Sequence, residues 1–166
     1  TYYDAIGRVQ GLRNTLYGMT YGYDAVGNRV RIYTQYVTAP GQTTHTNVDF
    51  WNKYDQENRL TLDSGQLSGG TVVAGSTGAS LLYDLGGNRR SATQNGTVIT
   101  YDYTTNNLLD STYKNGYRIA ENFYDNANRV VAHYAYKGDG ITLYPTSWGF
   151  NFYNSNGWLL ENVEHD

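Results

Sequence analysis

The stretch that decides the fold is Tyr3-Asp4-Ala5-Ile6-Gly7-Arg8-Val9, which returns as Tyr23-Asp24-Ala25-Val26-Gly27-Asn28-Arg29-Val30. Self-similarity of this kind is the sequence signature of a repeat architecture. Further copies begin at Tyr54, Tyr83, Tyr101, Tyr124 and Tyr153. The sequence therefore predicts one array of about seven repeats over residues 1–166, with no internal domain boundary.

Each copy carries the residue types of a hairpin turn. The Asp can accept hydrogen bonds from backbone N–H groups two or three residues further on. The residue four places after the tyrosine is Gly or Asn in every copy except the fifth, which has Thr105. Gly and Asn adopt positive φ at the lowest cost. Positive φ is therefore predicted at Gly7, Gly27 and Gly87.

An Arg follows the turn in most copies, and an intervening Gly or Asn argues against a helical ion pair. We predict that this Arg begins the return strand, where it pairs with the Asp or lies across a tyrosine ring of a neighbouring hairpin. The predicted structural turn residues are Tyr3, Asp4, Gly7, Arg8, Tyr23, Asp24, Gly27, Arg29, Tyr54, Asp55, Asn58, Arg59, Tyr83, Asp84, Gly87, Arg89, Tyr101, Asp102, Tyr124, Asp125, Asn128, Arg129, Tyr153 and Gly157.

The segments between the turns are typical of strands. Residues 19–23 and 29–33 follow the period of two that strands show. The chain has 18 Tyr and 19 Gly, a mixture of strand formers and turn formers. The Gly/Ser/Thr-rich stretch from Ser64 to Ser80 suits a mobile hairpin tip. The predicted fold class is all-β, a repeat array of antiparallel β-hairpins.

Composition and residue spacing argue against several functions. The 12 Lys+Arg against 15 Asp+Glu form no basic run for nucleic acid, and no apolar run could span a membrane. A catalytic carboxylate pair would not recur once per repeat. His45, His133 and His165 lack the spacing of zinc ligands. We therefore expect a protein that is not an enzyme and that has no cofactor and no metal.

Two tryptophans are candidates for ligand contact. Trp51 and Trp148 lie outside the repeated tyrosine position, so an aromatic platform for a glycan is one interpretation of them. Packing within the sheet is the other interpretation. The sequence leaves both open.

The Tyr-Asp-x-x-Gly-Arg and Tyr-Asp-x-x-Gly-Asn-Arg motifs resemble those of the Rhs or YD-repeat family along the whole chain. The family includes C components of insecticidal Tc toxins, Rhs effectors, wall-associated proteins and teneurins. The resemblance implies one curved, spiralling sheet that forms part of a hollow shell around a C-terminal toxin or effector domain. It also implies a secreted, cell-surface or injected protein of bacterial origin.

The chain starts almost directly on a motif, so we expect a fragment of a larger protein. Its partners would then be the remaining repeats and the enclosed C-terminal domain. Open strand edges near Tyr2 to Val9 and Phe150 to Leu160 would favour self-association. The alternative is a surface adhesion module that binds glycans or a protein through aromatic-rich faces.

Overall fold

The computed structural model describes residues 1–39, 41–141 and 144–165, and these form fifteen β-strands and no helix. The predicted all-β array of antiparallel hairpins is confirmed, because the pairing of the strands is antiparallel within each hairpin. The chain forms two compact units, Thr1–Leu81 and Leu82–Asp166. The assignment of residues 1–166 to a single array stays a prediction.

The first unit is a sheet in which neighbouring strands follow one another in the sequence, except that β6 pairs with both β7 and β8. The last strand of this unit, β8, ends two residues beyond Leu81, where the unit ends. The strands are β1 (Tyr2–Tyr3), β2 (Val9–Arg13), β3 (Tyr17–Tyr23), β4 (Arg29–Tyr36), β5 (Thr46–Tyr54), β6 (Leu60–Ser68), β7 (Thr71–Val73) and β8 (Ala79–Tyr83).

The second unit is built in the same way, with each strand paired to the next one in the chain. Hairpins are the simplest route to such an order, because two antiparallel strands need only a short turn between them. The strands are β9 (Arg89–Gln94), β10 (Thr97–Tyr103), β11 (Leu109–Lys114), β12 (Tyr117–Tyr124), β13 (Val130–Ala135), β14 (Ser147–Tyr153) and β15 (Leu159–His165).

Little of either sheet is buried. Among the described residues, the buried hydrophobic side chains are Leu62, Leu81 and Ala132. Most strand residues are half-buried on both faces, as the pattern of β10 from Thr97 to Tyr103 shows. Stability must therefore come mainly from contacts within and between neighbouring hairpins rather than from a central core.

The stretch from Ser64 to Ser80 is more regular than its composition suggests. Its first residues continue β6, and Gly69 and Gly70 turn the chain into β7. The Thr77 hydroxyl then donates a hydrogen bond to the Ser64 carbonyl, 2.9 Å away. The end of β6 and β7 therefore form a hairpin, and the residues after β7 are hydrogen-bonded back to β6.

Candidate functional site

The repeated turns form the most distinctive feature of the molecule. We number each turn from its tyrosine as position 0, so that the Asp is position 1. In every copy the N–H at position 1 donates to the carbonyl at position 5 over 2.8–3.0 Å. The N–H at position 4 donates to the carbonyl at position 1 over 3.0–3.2 Å. All seven turns therefore have the same backbone closure.

The residue at position 4 has positive φ in every turn. Gly7, Gly27 and Gly87 have φ values of 83°, 103° and 87°, which confirms the prediction made for them. The three Asn residues at this position, Asn58, Asn107 and Asn128, have φ near 60°. A β-bulge accompanies six of the turns, because the register shifts immediately before the motif tyrosine, as between Gly22 and Tyr23.

The fifth copy lies two residues later than its sequence motif suggests. Tyr101 and Asp102 pair with Thr112 and Ser111 of the next strand and take no part in the turn closure, so their assignment to the turn is wrong. The turn is Tyr103-Thr104-Thr105-Asn106-Asn107-Leu108, in which the Thr104 hydroxyl accepts from the N–H groups of Asn106 and Leu108. Asn107 therefore takes position 4, and Thr105 is no exception to the rule. The sequence Tyr101-Asp102-Tyr103 contains two tyrosines, and the first one is followed by Asp although the second one begins the turn.

The Asp at position 1 organises the turn through its two oxygens. In the second copy, Asp24 Oδ1 accepts from the N–H groups of Val26, Gly27 and Asn28 at 3.1, 2.8 and 2.8 Å. Its Oδ2 accepts from the Asn28 side chain at 3.0 Å. Burial of Asp24 opposes ionisation, but these hydrogen bonds outweigh it and lower the pKa of the carboxyl.

In the first and sixth copies, where Arg occupies position 5, both predicted contacts occur together. Arg8 Nε donates to Asp4 Oδ2 at 2.6 Å, and its guanidinium lies 4.3 Å from the ring centroid of Tyr23 in the next hairpin. Arg129 pairs with Asp125 and lies 4.5 Å from the ring of Tyr153. The hydrogen bond from Arg8 is the main reason that the pKa of Asp4 is lowered. Arg8 and Arg129 precede the return strand, whereas Arg29 and Arg89, at position 6 of their copies, begin it as predicted.

The motif tyrosines tie each hairpin to the one before it. Their hydroxyls donate to the carbonyl at position 6 of the preceding copy, over 2.6–3.2 Å. The donor and acceptor pairs are Tyr23 to Val9, Tyr54 to Arg29, Tyr103 to Arg89, Tyr124 to Leu109 and Tyr153 to Val130. Burial raises the pKa of the Tyr124 hydroxyl above its ordinary value, which further favours the protonated form that donates.

An Asn two residues before the tyrosine strengthens this link in three copies. The Asn151 side chain donates to the Val130 carbonyl at 3.0 Å, beside the Tyr153 hydroxyl at 2.9 Å. The same pair of donors occurs at the Leu109 carbonyl, from Asn122 and Tyr124. Asn52 and Tyr54 share the Arg29 carbonyl. Sequence reasoning missed this Asn-x-Tyr motif, although its threefold recurrence was a readable signal.

The two candidate tryptophans have different surroundings. The guanidinium of Arg31 lies 4.9 Å from the Trp51 ring and is held by Asp49 Oδ1 and Oδ2 at 2.7 and 2.8 Å. Trp51 is therefore covered by a neighbouring side chain. Trp148 is 36% exposed and stacks on His165 with 5.5 Å between ring centroids. Trp148 is the more exposed of the two, because Trp51 is half-buried.

No cluster of three or more potential metal ligands occurs in the part of the chain that the structure describes. That part also has no helix that could cross a membrane. Comparison of the chain with models of protein families and with curated proteins gives no match.

Proposed function

We propose that the chain is a non-catalytic scaffold, part of a shell that encloses or presents a toxin or effector domain of a larger secreted or injected protein. The observation that supports this function is the repeated link between hairpins. Five of the motif tyrosine hydroxyls, with or without an Asn side chain, satisfy a carbonyl of the preceding copy. Such links stabilise a long sheet without a core, which suits a wall better than a compact domain.

Protease protection of the larger protein tests this proposal. The C-terminal domain should resist digestion while the repeat array is intact. The double variant Asn151→Ala, Tyr153→Phe removes both side-chain donors to the Val130 carbonyl and should expose the C-terminal domain to cleavage. Phe152→Ser, at a side chain 51% exposed between these two residues, is the control. Equal digestion with and without the array would contradict the shell function.

Self-association through strand edges is a further expectation of the scaffold. Strand β15 pairs only with β14 among the described strands, and its side chains are largely exposed. Light scattering of the chain at high concentration should report oligomers, because unpaired edges accept further strands. Leu160→Lys, on β15, should reduce the association, whereas Leu85→Lys, in a fully exposed turn, should not. A monomer at all concentrations would favour a self-contained domain.

Adhesion is the second candidate function, and one feature favours it. Phe123, Trp148 and Phe152 lie on one face of the second unit by register and are 40%, 36% and 51% exposed. Aromatic rings that share a face can stack on sugars or on a protein partner. Binding to a glycan array that Trp148→Ala abolishes, together with a C-terminal domain that is not protected, would support adhesion over the shell.

A further inference from the structure

The side chains at positions 4 and 5 make a second contact between neighbouring turns, and their identities are matched. Where position 5 is Asn, position 4 of the next copy is also Asn. Asn28 Nδ2 donates to Asn58 Oδ1 at 2.9 Å, and Asn88 Nδ2 donates to Asn107 Oδ1 at 3.0 Å. The Asn28 amide also donates to its own Asp24, so it bridges two turns.

Where position 5 is Arg, position 4 of the next copy is Gly. A Cβ added to Gly27 would lie 3.8 Å from Arg8 Nη1, and one added to Gly157 would lie 3.3 Å from Arg129 Nη1. A side chain longer than a methyl group would have to fit beside the guanidinium that lies over the adjacent tyrosine ring. The same order of residues occurs in the sequence a third time, where Arg59 precedes a copy with Gly87 at position 4.

The fifth and sixth copies are the remaining pair of consecutive turns, and they show a side-chain contact between turns even though position 5 cannot donate a hydrogen bond. Leu108 occupies position 5 of the fifth copy, and position 4 of the sixth is Asn128. Here the donor is Asn106, at position 3, whose Nδ2 lies 3.3 Å from Asn128 Oδ1. An Asn at position 4 therefore has an amide donor from the preceding turn in each described case.

We propose that positions 5 and 4 form a matching rule that determines which hairpins lie side by side. An Arg turn accepts a Gly neighbour, because a Cβ at that position would already contact the guanidinium and a longer side chain would compete with it for the same space. An Asn turn accepts an Asn neighbour, because the second Asn supplies an acceptor oxygen. The rule distinguishes between hairpins whose backbone closure is the same, because it disfavours an Asn neighbour for an Arg turn and a Gly neighbour for an Asn turn. It goes beyond the scaffold function and does not depend on what the array encloses.

A double-mutant cycle on the full chain tests the rule at Asn28 and Asn58. Asn28→Arg and Asn58→Gly each create a mismatched pair, and the double variant recreates the Arg–Gly match seen at Arg8 and Gly27. The product of the unfolding constants of the two single variants should exceed the product for the unchanged chain and the double variant, both of which are matched, by about fivefold or more. Denaturant unfolding measures the constants, and amide exchange in β4 and β5 localises the effect.

The reverse cycle at Arg129 and Gly157 tests the rule at a second pair of turns, so that the result does not depend on Asn28 and Asn58 alone. Arg129→Asn with Gly157→Asn should recreate an Asn–Asn match, because an Asn side chain at position 5 can donate to Asp125 as Asn28 donates to Asp24. Asn28→Arg and Gly157→Asn lie in the second and seventh copies, which are not consecutive. Their effects on the free energy of unfolding should therefore be additive. Additive effects in both neighbouring cycles, to within about twofold in the unfolding constant, would overturn the rule.

Discussion

Gly65→Ala should destabilise the first unit by about 3 kcal/mol, although it adds a single methyl group. A Cβ at Gly65 would contact the Leu62 side chain, and it would lie 2.6 Å from the Val73 carbonyl oxygen and 3.1 Å from that of Trp51. Both carbonyls belong to strands that pair with β6, so neither can withdraw without disturbing the sheet. Denaturant unfolding of the full chain measures the change.

The matched control is Gly18→Ala. Gly18 also lies inside a strand, β3, but an added Cβ there would have no atom within 4 Å. This variant should change the free energy of unfolding by less than about 0.5 kcal/mol. If both variants were equally mild, the tight approach of β5 and β7 to Gly65 would not exist in solution.

Turn chemistry could be predicted from the sequence because it is local. The Asp, the residue with positive φ and the Arg interact within a few residues of each other, so their spacing specifies the geometry. The fifth copy shows the limit of this reasoning. Its turn uses Thr104 in place of Asp, and the nearby Tyr101-Asp102 pair imitates the motif from inside a strand.

Contacts between hairpins could not be predicted in the same way, because they join residues about 14 to 30 positions apart. The role of Gly65 is an example. In the sequence it belongs to a Gly/Ser-rich stretch that suggests a mobile tip, but in the structure it lies where β5, β6 and β7 meet. The composition of a segment indicates its conformational flexibility in isolation, but it does not show which strands pack against it in the folded chain.

Acid should unfold the chain through its turn carboxylates. Hydrogen bonds to the ionised form lower the pKa of each below the ordinary value of 3.8, for Asp4, Asp24, Asp55, Asp84 and Asp125. A carboxyl whose pKa is lower in the folded state stabilises the fold above its unfolded pKa, and this stabilisation is lost as the pH falls through the folded value. Thermal stability should therefore change little above about pH 5 and fall steeply below about pH 4.

The seventh turn supplies a variant that isolates this effect. Its position 1 is Asn154, whose Oδ1 accepts from the N–H groups of Asn156 and Trp158 at 3.0 and 2.9 Å, so an amide can close the turn without titrating. We therefore expect the double variant Asp24→Asn, Asp84→Asn to fold and to take up fewer protons on acid unfolding, by at most about two, because two of the five lowered pKa values are removed. The slope of the unfolding free energy against pH between about pH 2 and 4 measures this number. A slope equal to that of the unchanged chain would mean that other carboxyls cause the acid transition, and that the turn hydrogen bonds do not favour the charged Asp.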